Sequence, residues 1–290
     1  MISINTNNGG LFAAKAASQS QAAIDSAMQR LSTGSRINNA KDDAAGQAIA
    51  TRLTAEIQGL EIASRNVADG QSLVDTAEGA LQETHTLLLR MREIGVQAAN
   101  GTLSTSDNQA LDAEFQQLVK EIDRIAQNTT WAGAALLNGN GGTVDTSETF
   151  SFQAGVGNNS GADVFDVTVK NADSTTLDVF VANSSDATVN DVNLLSQSSA
   201  QAAIGLVDTA IATVSSERAN LGAVSNRMAS TMANLDQIRV NLTASKGRIA
   251  DADFAAETAN LAKGQILQQA ATAMLAQANA SKQQVLTLIR

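Results

Sequence analysis

The chain has 290 residues, of which 43% are hydrophobic but only 3% aromatic, with one Trp and no Tyr. It has no Cys, which excludes disulfides, thiolate metal sites and cysteine nucleophiles. A formal net charge of -10 argues against binding to nucleic acid or to anionic membranes, both of which call for clustered Lys and Arg.

Much of the apolar fraction is Ala, which buries little area but has the best intrinsic helix propensity. Pro is absent, so no helix interior is broken by a missing N–H. Together these features predict long helices packed through small side chains. Met1 to Ser18 lacks the basic segment and apolar core of a cleaved signal peptide. No apolar run approaches the roughly 20 residues needed to span a bilayer, so membrane insertion is not expected.

The first helix is predicted over about Gly10 to Leu31, followed by the polar, Gly- and Asn-containing loop Ser32 to Asp43. A second helix is predicted over about Ala44 to Asn100. Within it Leu81, Thr84, Leu88, Met91, Gly95 and Ala98 recur in three- and four-residue steps, a heptad-like seam. Asn100-Gly101 ends it. Ser104 or Ser106 is placed to cap a third helix with Leu111, Phe115, Leu118, Ile122 and Ile125 on one face.

Beyond Trp131 the pattern changes. Asn138 to Gly142 is a turn-rich break, and three short alternating runs follow. They are Phe150 with Phe152, then Phe165, Val167 and Val169, then Leu177, Val179 and Val181. These predict a small β insert. A long helix then carries Val207, Ile211, Val214, Arg218, Leu221, Val224, Met228, Thr231, Leu235, Ile238 and Leu242, with one slip between Leu221 and Val224. Gly247 marks a break. Leu267, Ala271, Met274, Ala278, Ser281, Val285 and Leu288 then repeat in four-three steps on a last helix. The simplest fold pairs first helix with last and second with penultimate. It is a mainly α, elongated rod of long antiparallel helices with a small β-hairpin insert.

The run Arg30-Leu31-Ser32-Thr33-Gly34-Ser35-Arg36-Ile37-Asn38, continued by Asn39-Ala40-Lys41-Asp42-Asp43-Ala44-Ala45-Gly46, closely resembles the amino-terminal signature of bacterial flagellins. So do Arg65-Asn66, Thr76-Ala77-Glu78-Gly79-Ala80-Leu81 and Arg90-Met91-Arg92-Glu93. Arg248-Ile249-Ala250-Asp251-Ala252-Asp253-Phe254, Gln265-Ile266-Leu267-Gln268-Gln269-Ala270 and Ala273-Met274-Leu275-Ala276-Gln277-Ala278-Asn279 resemble the carboxy-terminal signature. Two departures stand out. Trp131-Ala132-Gly133 replaces the usual Phe-Asn-Gly, and Ser281-Lys282 stands where a Pro is frequent.

The resemblance implies a secreted, extracellular subunit of the helical flagellar filament, a homopolymer that propels swimming, with no enzymatic activity and no cofactor or metal. It implies a radial division. Residues 1–43 would be the N-terminal helix of an inner layer, D0, with its spoke. Residues 44–139 would be the N-terminal helices of D1, 140–193 the β-rich insert, 194–246 the C-terminal D1 helix, and 247–290 the C-terminal D0 helix. Assembly faces follow: Leu267, Ala271, Met274, Ala278, Val285 and Leu288 on the last helix, and Ile24, Met28 and Leu31 on the first. The spoke residues are Arg36, Asn38, Asp42 and Asp43. The implied partners are the flagellar export apparatus, a flagellin chaperone, a filament cap protein and a hook–filament junction protein. Arg90 and Glu114 match the family's pattern for contacts with a host innate immune receptor, although Leu89 stands where Gln is usual and Ile94 replaces Leu.

Other readings are weaker. His85 is the only histidine and has no companion ligands. An EF-hand reading of Asp251 and Asp253 fails, because Ala256 and Ala262 occupy the positions that need Gly and Glu. Asp42 and Asp43 precede a helix, where carboxylates meet its dipole favourably. Met91, Met228 and Met274 read as core residues. A chemoreceptor-like signalling hairpin would lack the β insert and the end motifs, and a hook–filament junction protein would resemble flagellin mainly at its termini.

Overall fold

The computed structural model describes residues 6–138, 148–157, 159, 161, 163–179 and 192–288, with 282–288 as backbone only. Long helices dominate: α1 (Asn8–Thr33), α2 (Ala44–Ala98), α3 (Thr105–Asn128), α4 (Gln197–Ala250) and α5 (Phe254–Leu288). Two short antiparallel strand pairs complete the fold, β1 (Thr130–Trp131) with β2 (Ala134–Ala135), and β3 (Glu148–Gln153) with β4 (Val164–Val169). The chain divides into two compact units, 1–58 with 240–290, and 59–239. The boundaries fall inside α2 and α4.

In the 59–239 unit, the predicted seam of α2 is buried throughout, from Leu81 and Thr84 through Leu88, Met91 and Gly95 to Ala98. It runs antiparallel to α4. Arg218 Nη2 donates to Glu78 Oε1 at 2.7 Å, Gln71 Nε2 to Ser225 Oγ at 2.6 Å, and Arg92 Nε to Asp208 Oδ1 at 2.6 Å. On α4 the predicted seam is partly displaced. Val207, Val214, Leu221, Met228 and Leu235 are buried, but Ala210 and Glu217 fill positions expected of Ile211 and Arg218. Glu217 is accommodated because its Oε1 accepts the Lys170 backbone N–H at 3.2 Å. Ile238 is exposed.

Helix α3 begins at Ser104 with a capping box. Ser104 Oγ accepts the Asp107 N–H at 3.2 Å, and Asp107 Oδ2 accepts the Ser104 N–H at 3.0 Å. The Ser104 hydroxyl, which also donates to Asp107 Oδ2 at 2.7 Å, and then the Ser104 N–H hold the Asp107 carboxyl below its ordinary range. The buried line of α3 is Phe115, Val119, Ile122 and Ala126, with Leu111, Leu118 and Ile125 only half-buried beside it. After α3 the chain makes a two-residue hairpin turn at Ala132 and Gly133, whose φ values are +49° and +88°. Positive φ at both central residues is the turn that matches strand twist, and Asn or Gly suits it better than Ala.

The insert confirms two of the three predicted strands. Phe150 pairs with Val167 and Phe152 with Phe165. Phe165, Val167 and Val169 are buried, and the Arg227 guanidinium lies 4.2 Å from the Phe165 ring centre. The third strand is not formed over its described part. Leu177 lies in a turn where Leu177 N–H donates to Asp173 O, and Val179 N–H donates to Ser174 O. Both side chains are buried, which explains the misleading alternation, and Val181 lies outside the described residues. Asp123 Oδ1 accepts the Ser174 N–H at 2.9 Å, and Asp112 Oδ1 accepts the Leu194 N–H at 2.8 Å, so carboxylates of α3 tie down the returning chain.

In the other unit, α1 and α5 lie antiparallel. Asn7 Nδ2 reaches Asn279 Oδ1 at 3.1 Å, Gln268 Nε2 reaches Gln21 Oε1 at 2.6 Å, and Arg30 Nη1 reaches Glu257 Oε1 at 2.8 Å. Gly247 does not break the chain. Helix α4 continues to Ala250, and the break lies at Asp251–Asp253, where Asp253 Oδ1 accepts the N–H groups of Ala255 and Ala256 and caps α5.

Candidate functional site

The terminal helices meet through small side chains. On α1 the inward line contains Gly10, Ala13, Ser20, Ile24 and Ala27, all buried. On α5 it contains Glu257, Gly264 and Ala271, also buried, with Leu261 half-covered after Glu257 and Leu275 half-covered after Ala271. Both lines advance in three- and four-residue steps, as lengthwise helix packing requires. At Gly264 the two helices fit tightly, and an added Cβ would stand 2.8 Å from Ile24 Cγ1. A glycine is therefore needed for the Ile24 side chain to seat.

This seam splits the predicted assembly faces. Ile24 and Ala271 are buried within the pair, and Ala278 is half-covered near Gly9. Leu267 and Met274 flank the seam and are 49% and 64% exposed, so Met274 is not a core residue of this chain. Met28 is also exposed, and Leu31 is half-buried. The side chains of Val285 and Leu288 lie outside the described residues. The physical reason for the split is the narrow seam. Small residues occupy most of its centre, with Ile24 seated against Gly264, and the larger apolar groups Phe12, Leu267 and Met274 are left outside it. Leu11, Phe12, Phe254 and Ile266 join the exposed set, with Phe12 74% exposed and Ile266 66%. The sequence reading missed these four, although large apolar residues in an Ala-rich helix are a visible signal. Phe12, Leu267 and Met274 line an open groove of about 940 Å³ between α1 and α5.

The spoke residues are organised by local hydrogen bonds. Gly34, at φ +69°, ends α1 in the left-handed conformation that only glycine adopts freely. Arg36 N–H donates to Ala250 O at 2.7 Å, Ala252 N–H donates to Gly34 O at 2.9 Å, and Ser35 pairs with Asp251. The Arg36 guanidinium donates to Ile249 O at 2.7 Å. Carbonyls at the end of α4, which lack partners within the helix, are thus capped by the chain leaving α1. Asn38 Nδ2 donates to Ser35 O at 2.9 Å. Asp42 Oδ2 accepts the N–H groups of Asn39 and Asn38, and these bonds lower its carboxyl pKa, Asn39 contributing most. Asp43 Oδ1 accepts the Gly46 N–H at 2.9 Å and caps α2. Both carboxylates have structural employment in turn and cap.

Arg90 and Glu114 are joined on the surface of the 59–239 unit. Nε and Nη2 of Arg90 reach Glu114 Oε1 at 3.2 and 2.8 Å, while Nη1 reaches Glu93 at 3.1 Å. The Glu114 bond is the main cause of the raised Arg90 pKa. Leu89 is exposed and Ile94 is buried. His85 is half-buried on α2. Among the described residues no group of three His, Cys, Asp or Glu could hold a metal ion, and no helix is long and apolar enough to cross a membrane.

Two family models match the chain, the bacterial flagellin N-terminal helical region over residues 4–141 and the bacterial flagellin C-terminal helical region over 204–289. A flagellin of Halalkalibacterium halodurans is 44% identical over 264 residues, covering 91% of each chain. A flagellin of Bacillus subtilis is 41% identical over 305 aligned positions, covering 99% of each. The crystal structure of Bacillus cereus flagellin is similar over 59% of this chain and 88% of that one, at 29% identity and a TM-score of 0.46. With both helical regions matched in order and these relatives aligned nearly end to end, the chain belongs to the bacterial flagellins, the structural proteins of the flagellar filament.

Proposed function

We propose that copies of this chain polymerise into a helical, extracellular filament that serves as a propeller, and that the α1/α5 pair supplies its inner contacts. The observation that carries this reading is the exposed apolar set of that pair, Phe12, Ile266, Leu267 and Met274 foremost. Large apolar groups clustered on paired helices and left in water are a surface awaiting a partner. A repeated contact between unlike surfaces that does not close on itself builds a helical polymer. The 1–58 and 240–290 unit would then line the filament.

The small-residue seam also supports folding on assembly. An Ala-rich helix pair gains little from its own burial, so ordering its ends depends on contacts from neighbouring subunits. Before assembly, the same exposed face of α5 suits a chaperone that blocks premature growth. The export apparatus, the distal cap and the hook–filament junction protein complete the partners expected of a family member. Seeding purified chain with short filament fragments tests the central claim. Electron microscopy should show helical filaments with a central channel, and Met274→Asp should stop their growth. Wild-type chain that stays monomeric beside active seeds would end the proposal.

A second surface is favoured by the Arg90–Glu114 pair, which presents a fixed guanidinium and carboxylate beside exposed Leu89. This arrangement supports recognition by a host innate immune receptor. Arg90→Ala combined with Glu114→Ala should lower the signal of a receptor reporter, and an unchanged signal would remove this role.

A further inference from the structure

The seam between α1 and α5 poses a physical problem. Helices that meet largely through small side chains, as the Gly, Ala and Ser of α1 meet Gly264 and Ala271 of α5, present similar knobs and holes at successive heptads, so small-residue packing alone distinguishes poorly between the observed register and one shifted by seven residues. Besides the exposed amide bonds Asn7–Asn279 and Gln268–Gln21, two less exposed features of the pair distinguish them. The first is the notch at Gly264, which admits Ile24 and would be closed by a side chain. The second is the pair Arg30–Glu257, 2.8 Å apart, in which Glu257 is only 7% exposed. Glu257 also accepts a bond from Asn260 at 3.2 Å. A shift of one heptad would place Ile24 opposite Ala271 or Glu257, and would leave a buried carboxylate without its guanidinium. An unpaired buried charge is far costlier than the pair is stabilising.

We propose that Arg30 and Glu257, together with the Ile24–Gly264 notch, form a register lock that selects one axial alignment of the terminal helices. The lock deepens the assembly reading and rests on it. By fixing α5 against α1, it fixes where Leu267 and Met274 stand relative to Phe12, and so determines the composite surface offered to the next copy. Arg30 and Glu257 are positioning residues. They act through the alignment of other side chains.

The absence of native Cys makes the register directly measurable. The Cβ of Ala278 lies 3.7 Å from a Cβ built at Gly9, within the span a disulfide bridges. The full chain carrying Gly9→Cys and Ala278→Cys, grown from seeds and mildly oxidised, should cross-link within each subunit. The pair Gly9→Cys and Ala271→Cys reports the register shifted by one heptad and should cross-link poorly. Adding Glu257→Lys should shift the ratio of the two yields by about tenfold toward the slipped pair. The exchange Arg30→Glu with Glu257→Arg should restore it.

An unchanged ratio in Glu257→Lys filaments overturns the lock. If Glu257→Lys prevents growth, the exchange must recover both growth and the native cross-link. Failure of the exchange together with a wild-type ratio in Glu257→Gln filaments also overturns the lock. These outcomes are separable from failure of the assembly reading, in which seeds do not elongate with the wild-type chain.

Discussion

The two compact units are built from similar helices but differ in what lies between those helices. In the 59–239 unit the contacts are made by Leu81, Leu88, Met91, Phe115, Leu221 and Met228, all essentially inaccessible to water. In the 1–58 and 240–290 unit the equivalent positions on α1 are Gly, Ala and Ser apart from Ile24, those on α5 include Glu257, Gly264 and Ala271, and Phe12, Ile266 and Met274 face solvent. Burial of large apolar groups stabilises a fold roughly in proportion to area. The first unit therefore carries its stability within one chain, and the second leaves much of its large apolar area in water.

The sharpest way to break this comparison is to empty the inner core of the 59–239 unit. Phe115→Ala should destabilise the soluble chain by about 3–5 kcal/mol, measured by denaturant unfolding. An equal loss from Ile24→Ala, on the seam of the terminal pair, would erase the distinction between the units. A smaller effect tests the start of α3. Ser104→Ala removes one half of the capping box and should cost about 1 kcal/mol in the same assay. The hairpin at Ala132 offers a change of opposite sign. Ala132→Gly should add up to about 1 kcal/mol, because relief of the positive φ outweighs the flexibility gained by the unfolded chain.

The smallest expected effect concerns acid. The Arg30 guanidinium, followed by the Asn260 amide, holds the Glu257 carboxyl below its ordinary range. A depressed folded-state pKa gives stabilisation that is present above the unfolded carboxylate value of about 4.3, and that is lost as pH falls through the lower folded value. Protease resistance of α1 and α5 in filaments should therefore weaken on acidification below about pH 4. Glu257→Gln filaments should start weaker and lack this component of the pH profile. A profile identical to wild type would show that the pair contributes nothing to the acid response.

The parts of the fold that were legible in the sequence are those where large side chains mark the seam. The line from Leu81 to Ala98 was read correctly because Leu and Met stand out at heptad spacing. The α4 seam was read less well. Ala210 and Glu217 occupy it, but they carry a weak signal and a contrary one, while the adjacent Ile211 and Arg218 attracted the assignment. Glu217 is comprehensible only once the Lys170 N–H, distant in sequence, is seen beside it. Leu177 and Val179 alternate like a strand because both are buried, yet they lie in a turn tied to Asp173 and Ser174. Gly247 attracted the helix break that actually falls after Ala250, where the partner of the break is the Ser35 segment. The end motifs directed attention to the terminal helices, but no local pattern gave the orientation of their side chains. Which of Leu267, Ala271 and Met274 faces α1 depends on where Ile24 and Gly264 meet, which no local pattern encodes.

One feature of the hairpin at the end of α3 has an optical consequence. Trp131, half-buried on β1, is the sole tryptophan, and the chain has no tyrosine to compete with it. Intrinsic ultraviolet emission therefore reports on the surroundings of that one indole in the 59–239 unit. An emission spectrum that holds steady during filament growth or its reversal would carry no information about the terminal helices, which need an extrinsic dye or an introduced chromophore to be observed.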